Sequence, residues 1–304
     1  MIDVRRLRSL RALADHGTIA AAADALHLTA SAVSQQLQAL EAEVGQRLME
    51  PHGRSVRLTP AAEVVLRHAD AMLVEVERLE ASLSQLGAGA GATVRIGGFS
   101  TSIQGLIIPA LREPALAALE VRIEDVEAPD CFRMLARHEL DVVISMEADH
   151  APAKDDARIA RHELTADVLD AALPAAHPLA TRRDLVLADL SAEPWIAPPL
   201  GWSCEHVINA ACTNAGFRPD VRHRSHDWST ILALVGEGFG VATVPRLAQF
   251  DPPPGVVVRS LGPEAPARHL FAACRRGAEA HPAVAVVIDA LRAVAAGRPA
   301  VAAA

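Results

Sequence analysis

An α/β protein with a helical head is the fold class that this 304-residue sequence predicts, and three observations predict it. Short helices and one strand pair account for residues 1–59. A continuous heptad pattern runs through residues 60–86, and beyond it short apolar strands alternate with helical stretches. The length exceeds one typical core, since domains of ~100–200 residues are the norm. With 51% hydrophobic and 22% charged residues there is apolar material for several cores, which excludes a disordered chain. Neither a signal peptide nor an apolar run near the ~20 residues of a membrane span is found, so a soluble cytoplasmic protein with no membrane partner is expected.

The head comes first. Val4, Leu7, Leu10 and Ala14 recur at helical spacing, and Gly17 stops that helix before an alanine-rich second one ending near Leu26. A third helix starts at Thr29, whose hydroxyl can cap the first turn, and it carries Val33, Leu37, Leu40 and Val44 on one face until Gly45 ends it. Its opposite face presents Ser31, Ser34, Gln35 and Gln38 at i, i+3, i+4 and i+7, a row pointing one way. Hydroxyls and carboxamides bond base edges in the major groove, glutamine to adenine in particular, whereas an ordinary solvated face is usually rich in Glu and Lys. The segment RLMEPHGRSVRLT, residues 47–59, sets Pro51 and Gly53 between two short strands. It makes a wing from which Arg54 and Arg57 would meet phosphates. Together these elements predict a winged helix-turn-helix over residues 1–59. Seven arginines and six acids give this segment a net charge of +1, leaving −9 for the rest, so phosphate binding depends on local placement.

Pro60 suits the first turn of the next helix. Val65, Ala69, Met72, Val76, Leu79, Leu83 and Leu86 then alternate steps of four and three, a coiled-coil seam. At 1.5 Å per residue the rod over 60–86 is roughly 40 Å long. So regular a seam predicts pairing with a second copy, two reading helices on successive major-groove faces, and a DNA target with dyad symmetry.

The run AAADALHLTASAVSQQLQALEAEVGQRLMEPHGRSVRLTP, residues 21–60, resembles the amino-terminal signature of LysR-type transcriptional regulators. The succession of linker helix and two-lobed sensor fits that family along nearly the whole chain. Three positions depart from it: Met49 where Phe is common, Pro51 where Arg is common, and Ala62 where Gly is common. Loss of that arginine shifts the wing's phosphate contact onto Arg54. The resemblance implies a sequence-specific DNA-binding regulator under small-molecule control. It implies a homodimer or homotetramer, with RNA polymerase as a further candidate partner.

Beyond a flexible joint at 87–92 (GAGAGA), the stretches VRIGGF, VRIEDV and DVVISM alternate with helices beginning near Ile103 and Cys131. They form lobe one, residues 93–160, to which the closing strand and helix within 268–304 return. Lobe two spans 161–267, with strands near Pro194–Pro198, Asp220–Ser225 and Val241–Pro245. The whole is a two-lobed, periplasmic-binding-protein-like effector domain with a hinge and a cleft. Open α/β sheets bind ligands at the carboxyl ends of their strands. Ser100, Thr101 and Ser102 stand there in lobe one, able to cap the helix and to hold an anionic or polar effector. By the resemblance, Glu127, Ser145, Pro198, Trp202, Ser203, His226 and Asp227 face the same cleft.

Other signals carry less. Gly236, Gly238 and Gly240 run from a helix into a strand, the reverse of a phosphate-cradling loop, and read as a helix stop. His223 and His226 lie three apart in a strand, hence on opposite faces, and Cys131, Cys204, Cys212 and Cys274 form no CxxC or zinc framework. The family includes a peroxide sensor with a cysteine pair in the region of Cys204 and Cys212. Here eight residues of helix hold them about 12 Å apart, beyond the ~7 Å limit between Cα atoms of a disulfide. No metal, no cofactor and no catalytic residues are expected. The rivals are a two-lobed solute-binding protein, which would need an export signal, and an α/β enzyme, which would need catalytic groups in the cleft.

Overall fold

Asp3 opens α1 (Val4–His16) by accepting a hydrogen bond from the Arg5 N–H, and Gly17 closes it in the left-handed conformation. Thr18 caps α2 (Ile19–Ala25), and the Thr29 side chain caps α3 (Ala30–Val44) by accepting from the Ala32 N–H, as its position predicts. In this computed structural model, which describes residues 2–52, 55–86, 91–148, 151–249 and 252–297, the helices share one core. Leu7, Leu10, Leu13, Val33, Leu37 and Leu40 form its centre and Met49 packs at its edge, so the residue that replaces the family's usual phenylalanine still serves packing. β1 (Met49–His52) and β2 (Ser55–Leu58) pair antiparallel as the wing, with Glu50 opposite Arg57. Gly53 and Arg54, at its turn, lie outside the described residues.

α4 (Pro60–Leu86) has the bounds that the heptads predict. Ala69 of the seam is buried and Val65 packs against the head core, whereas Met72, Leu79, Leu83 and Leu86 are exposed. The near end of the seam is therefore occupied by the head, and the far end is open. Ion pairs tie the rod down on both sides: Arg11 of α1 to Asp70 at 3.3 Å, and Glu77 to Arg275 of the body at 2.9 Å. Gly277, with φ of +99°, lets the body approach closely, because a Cβ there would stand 2.6 Å from the Val74 carbonyl oxygen.

Lobe one is built on β3 (Thr93–Gly98), β4 (Glu120–Asp125) and β5 (Val142–Met146), parallel to one another in the order β4-β3-β5. The expected helix near Ile103 begins earlier, as α5 (Ser100–Ser102), and reaches α6 (Ile108–Ala110) through a π turn over Ile103–Ile107. Pro109 has no N–H to give an α-helical ladder, and the segment before it takes the wider turn. α7 (Asp130–Ala136) covers the opposite face of the sheet. Of the expected joint, residues 87–90 lie outside the described residues.

The two lobes share strands. β6 (Ile159–Pro174) pairs antiparallel with β11 (Ala267–Arg275) from Ile159 to Val168, then continues between β9 (Ala242–Pro245) and β10 (Val256–Arg259). The crossing into lobe two thus falls inside one unbroken strand, near Val168 and Leu169, later than the boundary expected at residue 161. Patterning cannot show this, because a strand buried in two successive sheets has no composition break. Lobe two is completed by the parallel pair β7 (Pro194–Ala197) and β8 (Asp220–Arg224), with α8 (Ser203–Asn214) and α9 (Trp228–Gly236). Gly236 is the last residue of α9, and Gly238 and Gly240 lead on to β9, a helix stop as expected. β11 and α10 (Pro282–Ala296) return to the lobe-one core.

Candidate functional site

Two surfaces carry chemistry. On the head, Val33, Leu37 and Leu40 are fully buried, which turns the other face of α3 outward: Thr29, Ser31, Gln35 and Gln38 are exposed and Ser34 is half-buried. Thr29 and Ser31 also bond each other through their hydroxyls at 3.0 Å. Gln36, next to the exposed Gln35, points inward and accepts from the Ser9 hydroxyl. Arg57 is exposed on β2. Glu41, which no sequence pattern singles out, holds helix and wing in register: one of its carboxylate oxygens accepts from the Leu48 and Met49 N–H groups, at 2.8 and 3.1 Å. Thr59 closes the wing from the other side through the Arg47 carbonyl at 2.7 Å.

Between the lobes lies a cleft of about 410 Å³. Of the expected lining, Ser100, Glu127, Trp202, Ser203 and His226 are there; Asp125, Val126, Ala128, Asp130 and Gly201 join them unannounced. The same rule that selects Ser100, position at the carboxyl end of a strand, also selects the β4 end at Asp125. Burial pushes the Glu127 carboxyl up to about 7; the Arg268 guanidinium pulls it down and Asp125 adds to the rise. The Trp202 and His226 rings stand 6.0 Å apart, tilted by 35°.

The other expected residues are engaged elsewhere. Thr101 is buried and accepts from Arg268 at 2.7 Å, and Ser102 donates to the Phe99 carbonyl at 2.7 Å. None of the three serine and threonine hydroxyls caps α5, whose cap position falls on Phe99. Ser145 is buried beside the Cys131 thiol, and the Pro198 carbonyl accepts from Arg224. Asp227 caps α9, accepting from the N–H and hydroxyl groups of both Ser229 and Thr230, which hold its carboxyl down at about 2. Each of these groups already has a partner within the protein, a demand that strand-end position alone does not reveal.

Behind the cleft stands the residue most clearly missed. Arg268, 2% exposed, donates to Asp167 on β6 at 2.8 Å and to Thr101, and lies 4.9 Å over the Phe99 ring. Asp167 in turn accepts from the Leu247 N–H at 3.0 Å. The only sequence signal for Arg268 is an arginine at the start of a strand whose centre, Leu270–Cys274, is apolar. All four cysteines are buried and free; burial lifts the Cys204 and Cys212 thiols to about 11. No group of three metal-ligating side chains gathers among the described residues, and no helix among them is long and apolar enough to cross a membrane.

A helix-and-wing head joined by a rod to two lobes hinged on shared strands defines a ligand-responsive DNA-binding protein. Residues 4–63 match the model described as bacterial regulatory helix-turn-helix protein, lysR family, and residues 87–296 match the LysR substrate binding domain. The chain belongs to the LysR family: it is a DNA-binding transcriptional regulator with an effector-binding domain, not an enzyme. The small neutral protease regulatory protein of Streptomyces coelicolor is 29% identical over 283 residues, spanning 90% of this chain and 83% of its own. The hydrogen peroxide-inducible genes activator of Dickeya chrysanthemi is 28% identical over 250 residues, spanning 81% and 80%. A full-length OxyR variant from Pseudomonas aeruginosa has the same fold, with a TM-score of 0.65 at 21% identity over 96% of this chain and 95% of its own.

Proposed function

We propose that Ser31, Ser34, Gln35 and Gln38 of α3 read base edges, that Thr29, Arg57 and Arg54 contact the phosphate backbone beside them, and that a small molecule held between the lobes sets the regulator's output. The observation that carries this reading is the division of α3 into a buried apolar face and an outward row of hydroxyls and carboxamides without a Lys or Glu among them. Two copies paired along the open end of the α4 seam would address a dyad-symmetric site, and pairing of pairs would give a homotetramer. The reading places the protein in the cytoplasm, with RNA polymerase as a further partner. Ligand binding would shift the population of lobe orientations and so the spacing of the heads.

Peroxide sensing, the role that the names of several relatives carry, has less support. Reactive cysteines are low-pKa and accessible, whereas Cys204 and Cys212 are buried with raised thiols. They also sit eight residues apart on α8, about 12 Å.

The test is binding to the DNA upstream of the protein's own gene and its neighbour at fixed salt. Saturable binding to one dyad-symmetric site is expected, and Gln35→Ala should weaken it by about 1–3 kcal/mol, the range for one bidentate base contact. Binding no tighter than to random duplex would refute that operator.

A further inference from the structure

The charge of the cleft is lopsided. Asp125, Glu127 and Asp130 line it, and among the described residues no lysine or arginine does. Asp130 is met by Arg133 one turn along α7, but neither Asp125 nor Glu127 forms an ion pair with a described residue. The guanidinium that acts on Glu127, that of Arg268, is hydrogen-bonded to Asp167 and Thr101. The amino termini of α7, at Asp130, and of α8, at Ser203, reach the cleft, and each carries an acid in its first turn, Asp130 and the buried Glu205, that offsets the helix dipole. From lobe two the cleft receives Trp202, whose indole face attracts cations independently of the carboxyl groups, with the His226 ring 6.0 Å from it. An anion here would meet the carboxyl groups of Asp125 and Asp130 with no lysine or arginine in the lining to offset them, a repulsion that discriminates against it.

We infer that the effector is an organic cation, an amine whose ammonium group is held by Asp125 and Glu127 and whose body lies against Trp202 and His226. The inference rests on the reading of the interlobe cleft as the effector site. It narrows the anionic or polar effector expected at the serines of the β3 end, because two of those three hydroxyl groups are turned into the protein. A volume of about 410 Å³ lies within the ~300–1,000 Å³ of small-molecule sites.

The experiment is isothermal titration of the full-length protein with matched pairs that differ in charge sign: 1,4-diaminobutane against succinate, and 2-phenylethylamine against phenylacetate. At least one amine binds saturably and neither carboxylate does. Glu127→Gln and Asp125→Asn each weaken that amine about tenfold or more, a loss of 1.4 kcal/mol, while circular dichroism shows each variant folded. Trp202→Ala weakens phenylethylamine more than the diamine. Absence of amine binding overturns the inference. If a carboxylate binds and Trp202→Ala abolishes that binding, the cation assignment is wrong and the cleft remains the effector site. If a compound binds and none of the three substitutions alters it, the cleft reading itself fails.

Discussion

Glu127 lies between β4 and α7, where burial lifts its carboxyl to about 7 against an ordinary value of 4.5. The charged and titratable groups around it are Arg268 from β11, Asp125 from β4, Cys131 from α7, Cys204 from α8, and His226 across the cleft. The folded state therefore holds this proton more tightly than the unfolded chain does. Between about pH 4.5 and 7 the folded state binds more protons, so this residue's contribution to stability falls as pH rises, and above about 7 the full cost of an ionised buried carboxylate is present. Glu127→Gln removes that cost: its melting temperature should exceed the native protein's at pH 8, and the advantage should shrink by pH 5. An equal difference at both values would show that Glu127 is not proton-linked to folding. Thr29, Gln35 and Gln38 are legible in the sequence because a short helix with a strong apolar face dictates what its other face exposes. Ser145, Pro198 and Asp227 are not, because their partners come from elsewhere in the fold or from the next turn of chain.

At the scale of elements, α4 shows what a heptad pattern can and cannot say. The pattern specifies helix bounds and a stripe, and both are present. It does not say which contact the stripe serves, and here the contacts divide: Ala69 is buried in the head, whereas Leu79 and Leu83 are each 58% exposed. Apolar side chains left that open on a rod predict a partner helix. Leu79→Glu combined with Leu83→Glu should convert dimers or larger assemblies to monomers in sedimentation analysis, with the head still folded. An unchanged mass would assign self-association to another surface. The wing, by contrast, depends on a contact that no pattern announces. Glu41 is a surface-type residue near the end of α3, yet it receives two backbone donors of β1 and its approach.

The whole molecule is coordinated at the crossing strands. Arg268 and Asp167, both 2% exposed as side chains, join segments more than 100 residues apart in the chain and sit where β6 and β11 pass from one lobe to the other. Every partner has its hydrogen bonds, so the pair is tolerated; breaking it leaves one buried charge uncompensated, at about 3–5 kcal/mol. Arg268→Met should therefore lower the melting temperature sharply, and adding Asp167→Asn should recover part of the loss. If the double variant is as unstable as the single one, packing and not charge is the larger share. A second link, Arg158 of lobe one to Asp15 of α1 at 2.9 Å, connects the head directly to the body.

By itself the sequence determined the order of parts, the outward polar face of α3, the extent of α4 and the existence of two α/β lobes, because periodicity and capping act over a few residues. Only the tertiary structure decided where the lobes divide, which serines face the cleft, and that its lining is acidic. Those outcomes depend on which distant side chains compete for the same hydrogen bond or charge. Arg268 illustrates the reason: its neighbours Thr101 and Asp167 are remote in sequence, and once it claims them Thr101 is lost to a ligand and the cleft keeps Ser100, Asp125, Glu127, Asp130, Trp202, Ser203 and His226.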